Sequence, residues 1–167
     1  MNAYEYSPTP EKRKEKLLTA LFFSLAVLFF AVSYLPDIPL PWVLQSVSIG
    51  GFGACIYLVS RYLVKTFSYR VEVSSYGDFM DLVIVEKTGP RVQTVCRIAV
   101  SDVQSLEQVT RENQKTIFEK TKKSRVYRYQ SQMEPLDHCL LSFLEGEETA
   151  YLLISADEGL INRILMH

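Results

Sequence analysis

Two apolar runs within the first 65 residues constrain this chain more than any other feature. The first, Leu17–Leu35, reads LLTALFFSLAVLFFAVSYL, and the second, Trp42–Val64, reads WVLQSVSIGGFGACIYLVSRYLV. A helix needs about 20 residues to cross about 30 Å of hydrocarbon, and both runs have that length. Neither contains Asp, Glu or Lys, and Arg61 sits near the exit of the second. The pattern predicts a hairpin of two transmembrane helices over 17–35 and 42–64, joined by a turn over 36–41. The basic front Lys12-Arg13-Lys14 with Lys16, and the passable cleavage site Ala31-Val32-Ser33, resemble a signal peptide. The first apolar run exceeds the usual core of such a peptide, and a second span follows at once, so an anchor is the better expectation.

Charge sets the expected orientation. Basic residues precede the first run, Arg61, Lys65 and Arg70 lie at and beyond the exit of the second, and the turn Pro36-Asp37-Ile38-Pro39-Leu40-Pro41 has none. The positive-inside rule then predicts a multi-pass protein of the cell membrane, with a basic cytoplasmic N-terminus over 1–16 and a cytoplasmic C-terminal domain. Ser46, Gly50 and Ala54 recur every four residues on the second span. A stripe of small residues lets helix backbones approach, either span against span or as the seam of a homodimer.

Beyond residue 65 the pattern changes to alternation. About 100 residues remain, enough for one domain with its own core. Phe67, Tyr69, Val71 and Val73 share a face of one strand. Met80–Lys87 is apolar enough to be a central strand. Val92, Thr94, Cys96, Ile98 and Val100 share a face of a third. Turns are expected at Tyr76-Gly77-Asp78 and Thr88-Gly89-Pro90. Ser101–Val109 fits either a helix or a bent strand. Arg111–Ser124 reads as a polar loop with some helical tendency, and Arg125–Gln130 as a short strand. Leu136–Glu145 and Thr149–Ser155 read as a hairpin around Gly146. A final helix is expected with Ser155 as its cap, Glu158 reaching back, and the stripe Leu160, Ile161, Ile164 and Leu165.

Strands in an uninterrupted run closed by a C-terminal helix resemble the pleckstrin-homology-like domain. The layout is similar to small bacterial membrane proteins that place two spans ahead of such a domain. The matching segments are Asp81–Val103, the Tyr127-Arg128-Tyr129 strand and Tyr151–Leu165. The resemblance implies a membrane-anchored α+β chain: a transmembrane hairpin, then over 66–167 a PH-like antiparallel β-barrel or sandwich closed by a C-terminal helix. It carries over no catalytic or binding residue. Many eukaryotic relatives hold inositide heads with basic residues at the first strand–strand turn. Here the segment Ser75–Phe79 carries Asp78 and no base.

Chemistry-bearing motifs are sparse. No zinc spacing, glycine-rich phosphate loop or carboxylate pair is evident, so neither metal, cofactor nor enzymatic activity is expected. The three cysteines show no redox or zinc spacing. In Asp137-His138-Cys139 neighbouring strand residues face opposite ways, which predicts a buried cysteine beside a surface histidine. Lys115, Lys120, Lys122, Lys123 and Arg125 form the densest charge cluster. It reads as a solvated loop or as a contact with anionic membrane lipids, each base near the surface being worth about 1 kcal/mol. It lacks the aromatic interleaving of a nucleic-acid surface, so no nucleic-acid partner is expected. The reading is a membrane-tethered, non-catalytic interaction module that receives a protein partner by strand addition. The alternative is a ligand- or lipid-binding sensor that uses the barrel as a pocket.

Overall fold

A computed structural model describes residues 4–9, 11–36, 38, 40–74, 77, 79–133 and 138–166. The expected turn residues Asp37, Pro39, Ser75, Tyr76 and Asp78, and the start of the expected strand at Leu136 and Asp137, lie outside the described residues. The chain forms two compact units, Glu11–Lys65 and a second made from the N-terminal strand and everything from Thr66 onward.

The first unit is a helical hairpin. Helix α1 spans Arg13–Val32 and α2 spans Pro41–Leu58, with Pro41 in its first turn, where its missing N–H costs nothing. The α2 rod continues as a wider turn over Val59–Leu63, closed by Val64 N–H donating to Val59 C=O at 3.0 Å. Both rods, Arg13–Val32 and Pro41–Leu63, are long and apolar enough to cross a membrane. The first begins four residues before the apolar run, because the basic front Arg13–Lys16 is itself helical.

The seam of the hairpin differs from the expected stripe. Ser46 and Gly50 are exposed, and a side chain at Gly50 would meet nothing within 4 Å. Contact is made one residue further round the helix. A Cβ at Gly51 would lie 2.9 Å from the Cβ of Ala26, so only glycine lets the two backbones approach this closely. Buried Ser48 donates to the Ala26 carbonyl at 2.8 Å, and the Cys55 thiol points at the Thr19 carbonyl at 3.5 Å. Phe23 and Phe52 meet edge-on, 5.8 Å between ring centres. The intramolecular seam is therefore Ser48, Gly51 and Cys55, with Ala54 only half-buried.

The second unit is built from two four-stranded sheets. Sheet A runs in the order β1 (Tyr4–Tyr6), β2 (Lys65–Val73), β3 (Met80–Thr88), β4 (Arg91–Ala99). Sheet B runs β5 (Val103–Val109), β7 (His138–Glu145), β8 (Glu148–Ser155), β6 (Val126–Tyr129). The core takes Phe67, Tyr69, Val71, Leu82 and Ile84 from sheet A, and Cys139, Leu141, Leu152 and Ile154 from sheet B. Period-2 alternation produces these faces. Val73 escapes the pattern and is exposed at the end of its strand. Among the described residues no strand pairing joins the two sheets, so the barrel expectation gives way to a pair of packed sheets.

Three local features depart from the sequence reading. β4 bulges: Ile84 faces Cys96 while Val85 faces Thr94, leaving Val95 unopposed. The bulge flips the strand's parity, so Val92 is 62% exposed instead of sharing the face of Ile98. Ser101–Val109 resolves as one helical turn, Val100–Asp102, followed by strand β5. β6 runs parallel to β8, with Val126 opposite Tyr151, so sheet B is mixed and not antiparallel throughout. Strands β5 and β6 occupy opposite edges of that sheet. The chain between them must therefore cross the sheet, and it does so carrying helix α3, Gln114–Thr121.

The final helix α4 spans Glu158–Leu165. Its cap is Asp157, whose carboxylate accepts from Leu160 N–H at 2.9 Å, in place of the expected Ser155. Leu160 and Ile164 are buried, Ile161 is half-buried, and Leu165 is exposed. Strand β1 pairs antiparallel with β2, Glu5 opposite Arg70, and the Tyr4 hydroxyl donates to Asp157 at 2.6 Å. Strand β1, ahead of the hairpin in sequence, thus belongs to the sheet unit.

Candidate functional site

Two concave regions of the sheet unit carry clustered side chains. The first lies where the β4 edge of sheet A stands beside β6 and β7. It is a cleft of about 430 Å³. Its walls include Val95, Cys96, Tyr127, Tyr129, Phe143 and Glu145. Tyr127 and Tyr129 alternate along β6, and their rings stack nearly parallel at 4° with centres 6.5 Å apart. Tyr129 donates to the Val95 carbonyl at 3.3 Å, which shows the bulged backbone turned towards the cleft. Glu145 accepts from the Tyr127 hydroxyl at 2.9 Å and meets Arg125 at 3.6 Å. That hydrogen bond, then burial, raises the Tyr127 pKa. Arg97, the cation of the cleft, is engaged by Glu72 at 2.9 Å and Asp81 at 3.0 Å. Burial, with the Glu145 charge behind it, pushes the Cys96 thiol up to about 11. It stays a thiol at neutral pH and makes a poor nucleophile.

Beneath the cleft, Tyr69 ties the sheets together. Its buried hydroxyl donates to the Tyr129 carbonyl and accepts from Ser155 N–H at 3.2 Å. Burial raises its pKa to about 12. The hydroxyl holds β6, and so the two stacked tyrosines, in fixed register with β2.

The second region is a cavity of about 140 Å³ under α3, on the outer face of sheet B. Ile117, one turn before Thr121, faces the sheet, and with Val109 and Leu140 it forms a small separate core. Thr110 and Asn113 fix the start of α3: Thr110 N–H donates to the Asn113 side chain at 2.7 Å, and Asn113 donates to the Gln108 carbonyl at 2.9 Å. His138 and Gln130 also line this cavity. His138 is 1% exposed, so the surface histidine of the sequence reading is corrected. Its neighbour Cys139 faces the main core, as the parity of a strand requires.

The basic cluster is dispersed by its partners. Lys120 pairs with Glu107, which raises its pKa through a side-chain hydrogen bond. Lys122 lies 4.0 Å from Glu119, and Arg125 reaches Glu145. Lys115 and Lys123 are exposed on and just beyond α3. Sequence reading grouped these five because they are neighbours in the chain, whereas Glu107 and Glu145 come from other strands. The signal missed for the cavity was the pair Ile117 and Thr121, spaced one helical turn apart inside a polar segment. Compared with known proteins, the chain matches no family model, no curated protein and no solved structure.

Proposed function

We propose that this protein is a membrane-tethered, non-catalytic interaction module that receives an extended, basic segment of a protein partner along β4. The two apolar rods serve as the anchor. The pairing of β1 with β2 supports an arrangement in which both ends of the hairpin emerge on one side, since the segments before and after it belong to one sheet. The basic residues flanking the hairpin favour the cytoplasmic side. Two sheets followed by a packed C-terminal helix support a PH-like reading of the domain.

The observation that carries this reading is the edge of β4. It is a nine-residue strand that, among the described residues, is paired on one side only, and it is the longest of the sheet edges. A strand of that kind offers a row of backbone donors and acceptors to an added strand. The cleft beside it supplies the selectivity. Stacked tyrosines attract a cation through their ring faces, and Asp102 supplies a carboxylate beside Glu145, which Tyr127 and Arg125 already engage. With Arg97 occupied by two acids, a basic side chain is the complementary occupant. Contact of Lys115 and Lys123 with anionic lipid would be a minor addition, since Lys120, Lys122 and Arg125 are already paired.

A photoreactive residue at Val92 in native membranes tests this. The expected result is a peptide adduct that, once sequenced and synthesised, protects the outward amides of Arg91–Ala99 from hydrogen exchange in the full chain. A lipid adduct alone, or a peptide that leaves that exchange unchanged, would overturn it.

A further inference from the structure

We infer that the cavity beneath α3 is a binding site for a compact, amphipathic small molecule of ring size that carries a hydrogen-bond donor. The inference is independent of the partner reading, because the cavity lies on the outer face of sheet B and uses no residue of the β4 cleft.

The argument begins with size. The space measures about 140 Å³. An engineered apolar cavity of about 150 Å³ holds a benzene ring, so a six-membered ring with one small substituent is the right scale. The lining is mixed: Val109, Ile117 and Leu140 give it apolar walls, and Thr121, Arg128 and His138 give it polar ones. The apolar walls contribute burial and no orientation.

Orientation comes from Gln130. It is 9% exposed, it lines the cavity, and its carbonyl oxygen is buried with no hydrogen-bond partner. A buried acceptor left unmade costs about 1–3 kcal/mol. Natural proteins leave few such groups, and a ligand donor at this position would remove the penalty. A water with polar neighbours such as Thr121 and His138 is the competing occupant, and titration with phenol separates the two. A mixed wall around Gln130 suits a molecule with an apolar body and a polar end. The ring-sized volume and the unmet Gln130 acceptor together favour phenol-like chemistry over a plain hydrocarbon.

The fold explains why such a space exists. The crossover from β5 to β6 must span the whole face of sheet B, yet α3 is only eight residues long. At about 1.5 Å per residue it is about 12 Å in length, too short to cover four strands about 4.8 Å apart along with both edges. Among the described residues the cavity lies between Ile117 on α3 and Gln130 just past β6.

The test uses phenol and toluene, which are nearly isosteric and differ in the donor. Full-length protein in lipid nanodiscs is labelled at its Ile, Leu and Val methyls and titrated with each probe, with free concentrations set by dialysis. Phenol is expected to shift the methyls of Ile117, Leu140 and Leu153 saturably, with a dissociation constant at least tenfold below that of toluene. Gln130→Leu should remove that preference while toluene still enters. Ile117→Phe, which fills the space from the helix side, should abolish both, and it remains informative if the glutamine variant does not fold. Absence of a saturable shift with phenol means the cavity holds water only and overturns the inference. Equal affinity for the two probes in the wild-type protein makes it a passive apolar void and also overturns it.

Discussion

The hairpin and the sheet unit solve the burial problem in opposite ways. In the hairpin the large apolar side chains, among them Leu21, Phe23, Leu28 and Ile49, are exposed, and the buried contacts come from Ser48, Gly51, Cys55 and Ala26. In the sheet unit the largest side chains, Tyr69, Leu82, Ile84, Leu141 and Leu152, are fully buried. If the hairpin spans a membrane, as proposed, small-residue contacts suffice there, because the surrounding medium is itself apolar. Water demands that large apolar side chains be hidden. The same chain therefore carries two packing rules, and a substitution should be judged by the unit in which it falls.

The largest expected contrast lies within α4. Leu160→Asp would bury an unpaired carboxylate in the main core and cost several kcal/mol, on the order of the whole stability of a domain. Leu165→Asp, on the exposed side of the same helix, should change the melting temperature little. Thermal unfolding of the full chain, followed by the far-ultraviolet signal of the sheets, compares the two. Equal effects would mean that α4 is not docked as described.

The hairpin offers a sharper pair, because its two residues are adjacent. Gly51→Leu drives a side chain into Ala26 and should cost about 1–3 kcal/mol, whereas Gly50→Leu meets open space and should be close to neutral. Unfolding in sodium dodecyl sulfate, read from the single tryptophan Trp42, measures both. If Gly50→Leu proved the more damaging, the small-residue stripe at Ser46, Gly50 and Ala54 would be the working seam after all.

Within the sheet unit, Tyr69→Phe removes partners from two backbone groups, Ser155 N–H and Tyr129 C=O. A loss of about 1–3 kcal/mol at neutral pH follows. The folded pKa of Tyr69 is raised to about 12, above its ordinary value near 10. Its contribution is therefore complete below about pH 10 and disappears as the pH climbs towards 12. Wild-type melting temperature should fall over that window, and Tyr69→Phe should fall less steeply there. The smallest effect is expected from Tyr4→Phe, about 1 kcal/mol for the bond to Asp157. It should appear as faster exchange of the β1 amides more than as a shift in melting.

How much of this was legible beforehand follows from the length of each pattern. The apolar rods and the alternating strands β2, β3, β7 and β8 run for eight residues or more, and their periodicity identifies them. Strand β1 has three residues, Tyr4-Glu5-Tyr6, too few to establish any period. The seam register was ambiguous because Gly50 and Gly51 are adjacent, and only Ala26, on the other helix, selects between them. The burial of His138 depended on α3, whose apolar residues are only Ile117 and the exposed Phe118. The β4 bulge left no composition signal, so the parity of Val92 was read one face wrong. The cleft was half legible: Tyr127 and Tyr129 stood out on β6, but β4 reaches them only through tertiary packing.

The central claim is that the segment before the hairpin pairs with the strand after it, so that both belong to one sheet unit. Cysteines at Glu5 and Arg70, which face each other in the β1–β2 register, test this most directly. Cys55, Cys96 and Cys139 are first replaced by alanine. Oxidation in native membranes should then give a fast, high-yield intramolecular disulfide between positions 5 and 70, and little between positions 5 and 93. Positions 5 and 70 left unlinked, and labelled by an impermeant thiol reagent from opposite sides of the membrane, would contradict the account.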